Sequence, residues 1–225
     1  MTSPNTEPTV LALDAGSPVI SVGIATPRRV LAECTSNDAT SSRRLLALVQ
    51  GCLEDASMSL GDLHGICALQ GPGSFTGLRV GLATALGFHQ ALGVRATAIP
   101  TLTVLGAGSG ASRVLAVVDA LRGHWFHQRF SIVGSGQPQS RSDAACHEAS
   151  RLVFEDIDEV VGFGAQRLAG VAPASIALTE PVALAAGAAM FAARADSWEP
   201  RLLTAPLYLR PPPARRTAPA TGPDS

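Results

Sequence analysis

Short apolar runs separated by turn residues open the chain, and amphipathic stretches follow them. Residues 10–13 (VLAL) form the first run, which ends at Asp14-Ala15-Gly16-Ser17, a tight turn by composition. Residues 19–25 alternate loosely, Pro27-Arg28 marks a second turn, and residues 29–34 make a third run. Three strands joined in succession by turns predict an antiparallel meander. After a polar segment at 37–42, Leu45, Leu48, Val49, Cys52 and Ala56 recur at helical spacing, with Leu46 and Leu53 widening the face. The helix expected there spans 42–56.

A fourth apolar run, 66–69 (ICAL), leads into Gly71-Pro72-Gly73-Ser74-Phe75-Thr76-Gly77-Leu78-Arg79. Glycine reaches positive φ and proline fixes its own φ, so the strand stops and the backbone turns. Ser74 is a natural N-cap, its hydroxyl accepting from a free backbone N–H in the first turn of the next helix. That helix, 74–92, carries two ridges at four-residue spacing: Gly77, Gly81 and Ala85, and Leu78, Leu82 and Leu86. Glycines inside a helix cost about 1 kcal/mol each relative to alanine, so a bare ridge implies that another backbone packs on it.

A strand at 94–99, a stop at Pro100 and a short helix at 101–107 complete a β-β-β-α-β-α-β unit. A second set then begins, with strands at 114–119 and 125–132 around Ala120-Leu121-Arg122-Gly123. A mostly polar helical stretch, a strand at 160–163 and an alanine-rich closing helix at 181–195 follow. The second half repeats the strand-turn-strand opening of the first in shortened form. This pattern resembles the duplicated actin/Hsp70/sugar-kinase (ASKHA) architecture, an α/β fold of two lobes. The lobes expected here are 9–107 and 108–210, between a disordered lead (1–8) and a disordered tail (211–225).

All 17 basic residues are arginine, which removes Schiff-base chemistry and a Walker-type phosphate lysine. A net charge of −1 argues against a chain that binds nucleic acid by itself. The glycine loop matches neither GxxxxGK(S/T), nor the dinucleotide GxGxxG, nor the GxSxG elbow. The four cysteines form no CxxC pair and read as free thiols. His124 and His127, three apart on one strand, face opposite ways, and the other histidines are scattered, so no metal site is expected. Asp14 and Ser17 fit the D-x-G-(S/T) turn that cradles a phosphate in ASKHA proteins, and a bare hairpin turn also accounts for them. Asp119, near Arg122, either holds its turn or acts in catalysis. Arg79 suits a phosphate, a partner carboxylate or a solvated position. No nucleophile with a base and no acid/base pair emerges. Residues 1–8 lack a basic n-region and an apolar h-region, and no apolar run reaches membrane-spanning length, so a cytoplasmic location is expected.

GPGSFTGLR (71–79) with VGLATALGFHQALG (80–93) resembles the TsaB (YeaZ) family. LALDAG (11–16), the helix start Ser42-Arg43-Arg44-Leu45-Leu46, LEDASMSLGDLHGICALQGPGSFTG (53–77), Asp119-Ala120-Leu121-Arg122-Gly123 and Pro206-Leu207-Tyr208-Leu209-Arg210 resemble further family motifs. Departures are Ser41 for the frequent histidine at the first helix start, the Asp-Ala-Gly-Ser turn, and Leu121 where D-A-R carries arginine.

The resemblance implies a non-catalytic scaffold subunit without a cofactor. TsaB proteins pair with TsaD, a metal-binding relative, through a four-helix bundle to which each subunit gives two helices, here 42–56 and 74–92. TsaE, an ATPase, joins that pair. TsaC makes threonylcarbamoyl-adenylate from threonine, bicarbonate and ATP, and TsaD transfers the group to the adenosine beside the tRNA anticodon. The TsaD metal motif HxxxH has no counterpart in this chain. The partner-binding candidates are Leu45, Leu46, Val49, Leu53, Gly77, Leu78, Gly81, Leu82 and Ala85; core and partner roles are not separable by pattern. tRNA is expected to be touched indirectly, and the chain to form a homodimer through the same surface when alone. The alternatives are a nucleotide-dependent kinase or ATPase using Asp14, Ser17 and Asp119, and a glycoprotease-like peptidase.

Overall fold

The computed structural model describes residues 7–37, 44–134 and 137–209. The lead up to residue 6, the segment holding Ser41, Ser42 and Arg43, Arg210 and the tail lie outside the described residues. The meander forms as expected: β1 (Val10–Asp14), β2 (Ile20–Ala25) and β3 (Val30–Ser36) are antiparallel neighbours. After α1 (Leu45–Asp55) come β4 (Gly65–Gly71), α2 (Phe75–Leu92) and β5 (Arg95–Pro100), with β4 parallel to both β1 and β5. The first sheet therefore runs β3-β2-β1-β4-β5. The ends of α2 follow from local chemistry. Ser74 caps it through its hydroxyl, which accepts from Gly77 N–H, and Gly93 closes it in the left-handed region at φ 68°.

Following α3 (Thr101–Ala107), the chain repeats the plan. The hairpin of β6 (Arg113–Asp119) and β7 (His124–Val133) is the counterpart of β1 and β2. Two short strands, β8 (Gln137–Ser140) and β9 (Ala145–Glu148), lie along β7. They replace the polar helical stretch expected there: the segment is too rich in Gly, Pro and Ser to hold a helix, and β7 offers it an open edge. β10 (Glu159–Phe163) and β11 (Ala177–Thr179) extend the sheet in parallel on the other side of β6. The second order, β8-β7-β6-β10-β11, is the first one again, and the ASKHA-type duplication is thus written in the topology.

The two sheets enclose a shared layer. Leu11 and Leu13 of β1 face α1 and α2, whereas Val10 and Ala12 face inward. Inside, they meet Leu102 and Leu105 of α3, the alanine-rich α4 (Ala185–Ala193), and Val114, Ala116 and Val118 of β6. Alanine suits α4 because sheet backbone approaches it closely: a Cβ on Gly23 of β2 would overlap the Ala186 amide. The helix is also held by polar contacts. Ser21 Oγ accepts from Ala185 N–H (3.2 Å), Glu33 accepts from Ala186 N–H (2.8 Å), and Arg194 donates to the Pro27 carbonyl (2.7 Å). The outer face of the second sheet lacks long helices among the described residues and is roofed by 3-10 turns at 149–151 and 165–168. Its counterpart on the first sheet carries α1 and α2.

Candidate functional site

β1 and β4 run parallel, so their C-terminal ends bring the Asp14–Ser17 turn beside the glycine loop 71–79. That is where open α/β sheets place their ligands. The two segments interlock through backbone. Ser74 N–H donates to the Gly16 carbonyl (2.8 Å), a Cβ on Gly73 would stand 2.6 Å from the same oxygen, and one on Gly77 would overlap the Ala15 carbonyl. The bare ridge is thus a surface for the chain's own turn. The peptide between Gly71 and Pro72 is cis, and Gly71 stands at φ 109°, a conformation other residues rarely adopt.

A strap from the far end of the chain closes over the loop. Leu207 N–H donates to the Gln70 carbonyl (2.8 Å), and the Gln70 side chain donates to the Ala205 carbonyl (2.7 Å). Tyr208 stacks on Phe75 with ring centroids 4.9 Å apart. Arg79 lies 4.1 Å from the Phe75 centroid and donates from Nε to the Tyr208 hydroxyl (3.1 Å). Arg79 is therefore engaged within the chain. Its partner sits 129 residues away, which no local pattern reveals.

Asp14 is fully buried. Its Oδ1 accepts from Gly16 and Ser17 N–H (3.0 Å each), and its Oδ2 has no hydrogen-bond partner. Burial pushes its pKa up to about 6 and the Glu33 charge adds to the rise, while the bonds from Ser17 and Gly16 oppose it. The turn amides that would greet a phosphate already serve this carboxylate. Asp119 repeats the device on the second sheet: its Oδ1 accepts from Leu121 N–H (2.7 Å). Its other oxygen pairs with Arg167, not with the expected neighbour Arg122. Asp119 thus holds its own turn and pairs with Arg167, while Asp14 holds its turn through one oxygen.

The nine partner-binding candidates separate by burial. Leu45, Val49, Leu53, Leu78, Gly81, Leu82 and Ala85 are buried in the chain's own core, and Gly77 abuts Ala15. Leu46 alone of the nine is exposed, at 59%. The correction has a plain cause: both helices must first cover a sheet face, so their most regular apolar rows turn inward. What α1 and α2 leave outside is Leu46, Ala47, Gln50, Glu54 and Asp55 on one helix, and Thr76, Arg79, Ala83, Gly87, Gln90 and Ala91 on the other, with Val80 half-buried beside them. After Arg79, α2 holds no Asp, Glu, Lys or Arg. A surface helix ordinarily solvates its outer face with charge; beyond Arg79 this one presents uncharged residues, most of them small. The row Ala83, Gly87, Ala91 also repeats every four residues and was legible for the same reason as the inner ridge.

The histidines read as scattered include one close pair. His127 Nε2 and His147 Nδ1 stand 2.9 Å apart across β7 and β9, although twenty residues separate them.

Comparisons with known proteins agree on a family. The family model described as TsaD: tRNA N6-adenosine threonylcarbamoyltransferase matches residues 30–162, more than half of the chain. An uncharacterized protein of Mycobacterium tuberculosis is 36% identical over 127 residues, 54% of this chain and 59% of that protein. The tRNA threonylcarbamoyladenosine biosynthesis protein TsaB of Escherichia coli is 32% identical over 118 residues, 51% of each chain. The match thus spans between half and three fifths of these relatives' length. Among solved structures, YeaZ from Pseudomonas aeruginosa superposes with a TM-score of 0.74 at 24% identity, covering 90% of this chain and all of that one.

Proposed function

The chain belongs to the family of the tRNA N6-adenosine threonylcarbamoyltransferase TsaD, in its TsaB/YeaZ branch, and from that premise we propose that it is a non-catalytic scaffold subunit. In this reading it dimerises with a TsaD subunit and activates transfer of the threonylcarbamoyl group to the adenosine beside the tRNA anticodon. The observation that carries the proposal is the outer face of α2, uncharged beyond Arg79, on the same side of the first sheet as α1 with its exposed Leu46. Two helices side by side on one sheet face are what a four-helix bundle requires from one partner. Leu46, Ala47, Val80, Ala83 and Gly87 form the contact. TsaE joins the pair, tRNA is contacted indirectly, and a homodimer uses the same face when TsaD is missing. All of this takes place in the cytoplasm.

The committed chemistry of the turns supports a scaffold over a kinase. Asp14 holds its own turn amides and Asp119 pairs with Arg167. α4 is fastened to the first sheet by Ser21, Glu33 and Arg194, which opposes the lobe closure a kinase needs. A nucleotide-binding reading draws on one observation, the unpartnered Asp14 Oδ2. The test is reconstitution: threonylcarbamoyl-adenosine formed on tRNA by TsaC, TsaD and TsaE with threonine, bicarbonate and ATP, measured with and without this chain. Product that depends on this chain, and persists with Asp14→Asn, is the expected outcome. Product formed equally without the chain contradicts the proposal, and loss with a folded Asp14→Asn moves the account to nucleotide binding.

A further inference from the structure

The second sheet brings together two imidazoles that the partner surface and the glycine loop do not use. His127 on β7 and His147 on β9 approach to 2.9 Å between Nε2 and Nδ1, with ring centroids 5.1 Å apart and planes tilted by 39°. The strands fix this meeting. β7 is hydrogen-bonded to β6 on one side and β9 on the other, and His147 lies directly opposite buried Trp125, two residues before His127 on the same face. His147 is exposed and His127 is half-buried, so the pair opens to solvent from one side.

We propose that His127 and His147 form a binding site for a divalent transition-metal ion that favours imidazole, with Zn²⁺ as its representative. Two nitrogens bound to one tetrahedral ion at about 2.0–2.1 Å stand roughly 3.3–3.4 Å apart, so the rings must part by about half an ångström and each turn by roughly 35° for both lone pairs to meet the ion. Imidazole is the ligand common to zinc, copper and nickel sites, and either ring nitrogen serves. At 2.9 Å the two rings share one hydrogen bond, so one of the facing nitrogens carries a proton. On binding, that proton moves to the far nitrogen of its own ring, both facing lone pairs turn to the ion, and both rings stay neutral. Among the described residues no third His, Cys, Asp or Glu completes the group. The site is therefore two-coordinate from the protein, and its remaining positions belong to water or to an incoming ligand. Such a site exchanges its ion readily, unlike a closed structural zinc site.

The test is titration of Zn²⁺ into the full chain, stripped of metal, by calorimetry at pH 7.5. It is repeated on His147→Ala, His127→Gln, His124→Ala and Cys34→Ser. His147 is exposed, so its truncation leaves the fold intact, and circular dichroism checks each variant. One equivalent is expected for the wild type, weakened at least ten-fold by His147→Ala and by His127→Gln and unchanged by His124→Ala and Cys34→Ser. Zn²⁺ affinity equal in the wild type and His147→Ala, or no binding by either, overturns the proposal.

Discussion

Gly77 lies against the backbone of Ala15 so closely that a methyl group on it would overlap the Ala15 carbonyl oxygen. This one approach turns the most conspicuous feature of the sequence, the glycine ridge of α2, toward the chain's own first turn. Gly77→Ala is expected to force β1 and α2 apart and destabilise the fold by about 1–3 kcal/mol, the usual range for overpacking. Gly87, ten residues along the same helix, has open space around it: a Cβ there would meet nothing within 4 Å. Gly87→Ala is expected to stabilise by roughly 0.5–1 kcal/mol through helix propensity. Urea denaturation of both variants reads the contrast, and equal effects would contradict the assignment of the two faces.

Asp14 makes a pH prediction. Its folded pKa is raised to about 6 from 3.8, so ionising it costs folding free energy. Above about pH 6 both folded and unfolded chains hold the carboxylate, and the full cost is present. As pH falls from 6 toward 3.8, the folded chain takes up a proton that the unfolded chain does not, and stability contributed by this residue rises. Between pH 7 and pH 5 the wild type is expected to gain roughly 1 kcal/mol relative to Asp14→Asn. The difference between the two proteins isolates Asp14 from other acids. A difference that stays flat with pH contradicts the buried carboxylate with its raised pKa.

The strap predicts coupling between residues far apart in sequence. Arg79 touches both Phe75 and Tyr208, which stack on each other. A double-mutant cycle of Arg79→Ala and Tyr208→Phe is expected to show a coupling of about 0.5–1.5 kcal/mol, since the hydroxyl bond exists only with both partners. Additive effects would mean that the strap does not rest on the loop in solution.

The fold was legible where its signals are local. The meander, the glycine loop, the Ser74 cap and the strand-turn-strand repeat at 113–133 all follow from short apolar runs and turn chemistry. The two short strands after β7 were hidden, because four-residue segments such as 137–140 carry no periodicity and exist only through the edge they join. At the candidate site, the loop and the Asp14 turn were legible, but their mutual packing, the Arg79–Tyr208 bond and the Asp119–Arg167 pair are products of topology. The two faces of α2 illustrate the limit most directly. Gly77-Gly81-Ala85 and Ala83-Gly87-Ala91 share one four-residue spacing, and only the position of β1 decides which row is inside.

The exposed row gives the most direct test of the scaffold account. Size-exclusion chromatography with light scattering would be run on this chain mixed with the TsaD subunit of the same organism, as wild type and as Ala83→Arg. Ala83 is exposed, so the variant is expected to keep the wild-type unfolding temperature, unlike a substitution at buried Gly81. The account predicts a one-to-one complex for the wild type and its loss with Ala83→Arg. A wild-type chain that elutes alone beside TsaD, or an Ala83→Arg complex as stable as the wild type's, would contradict it.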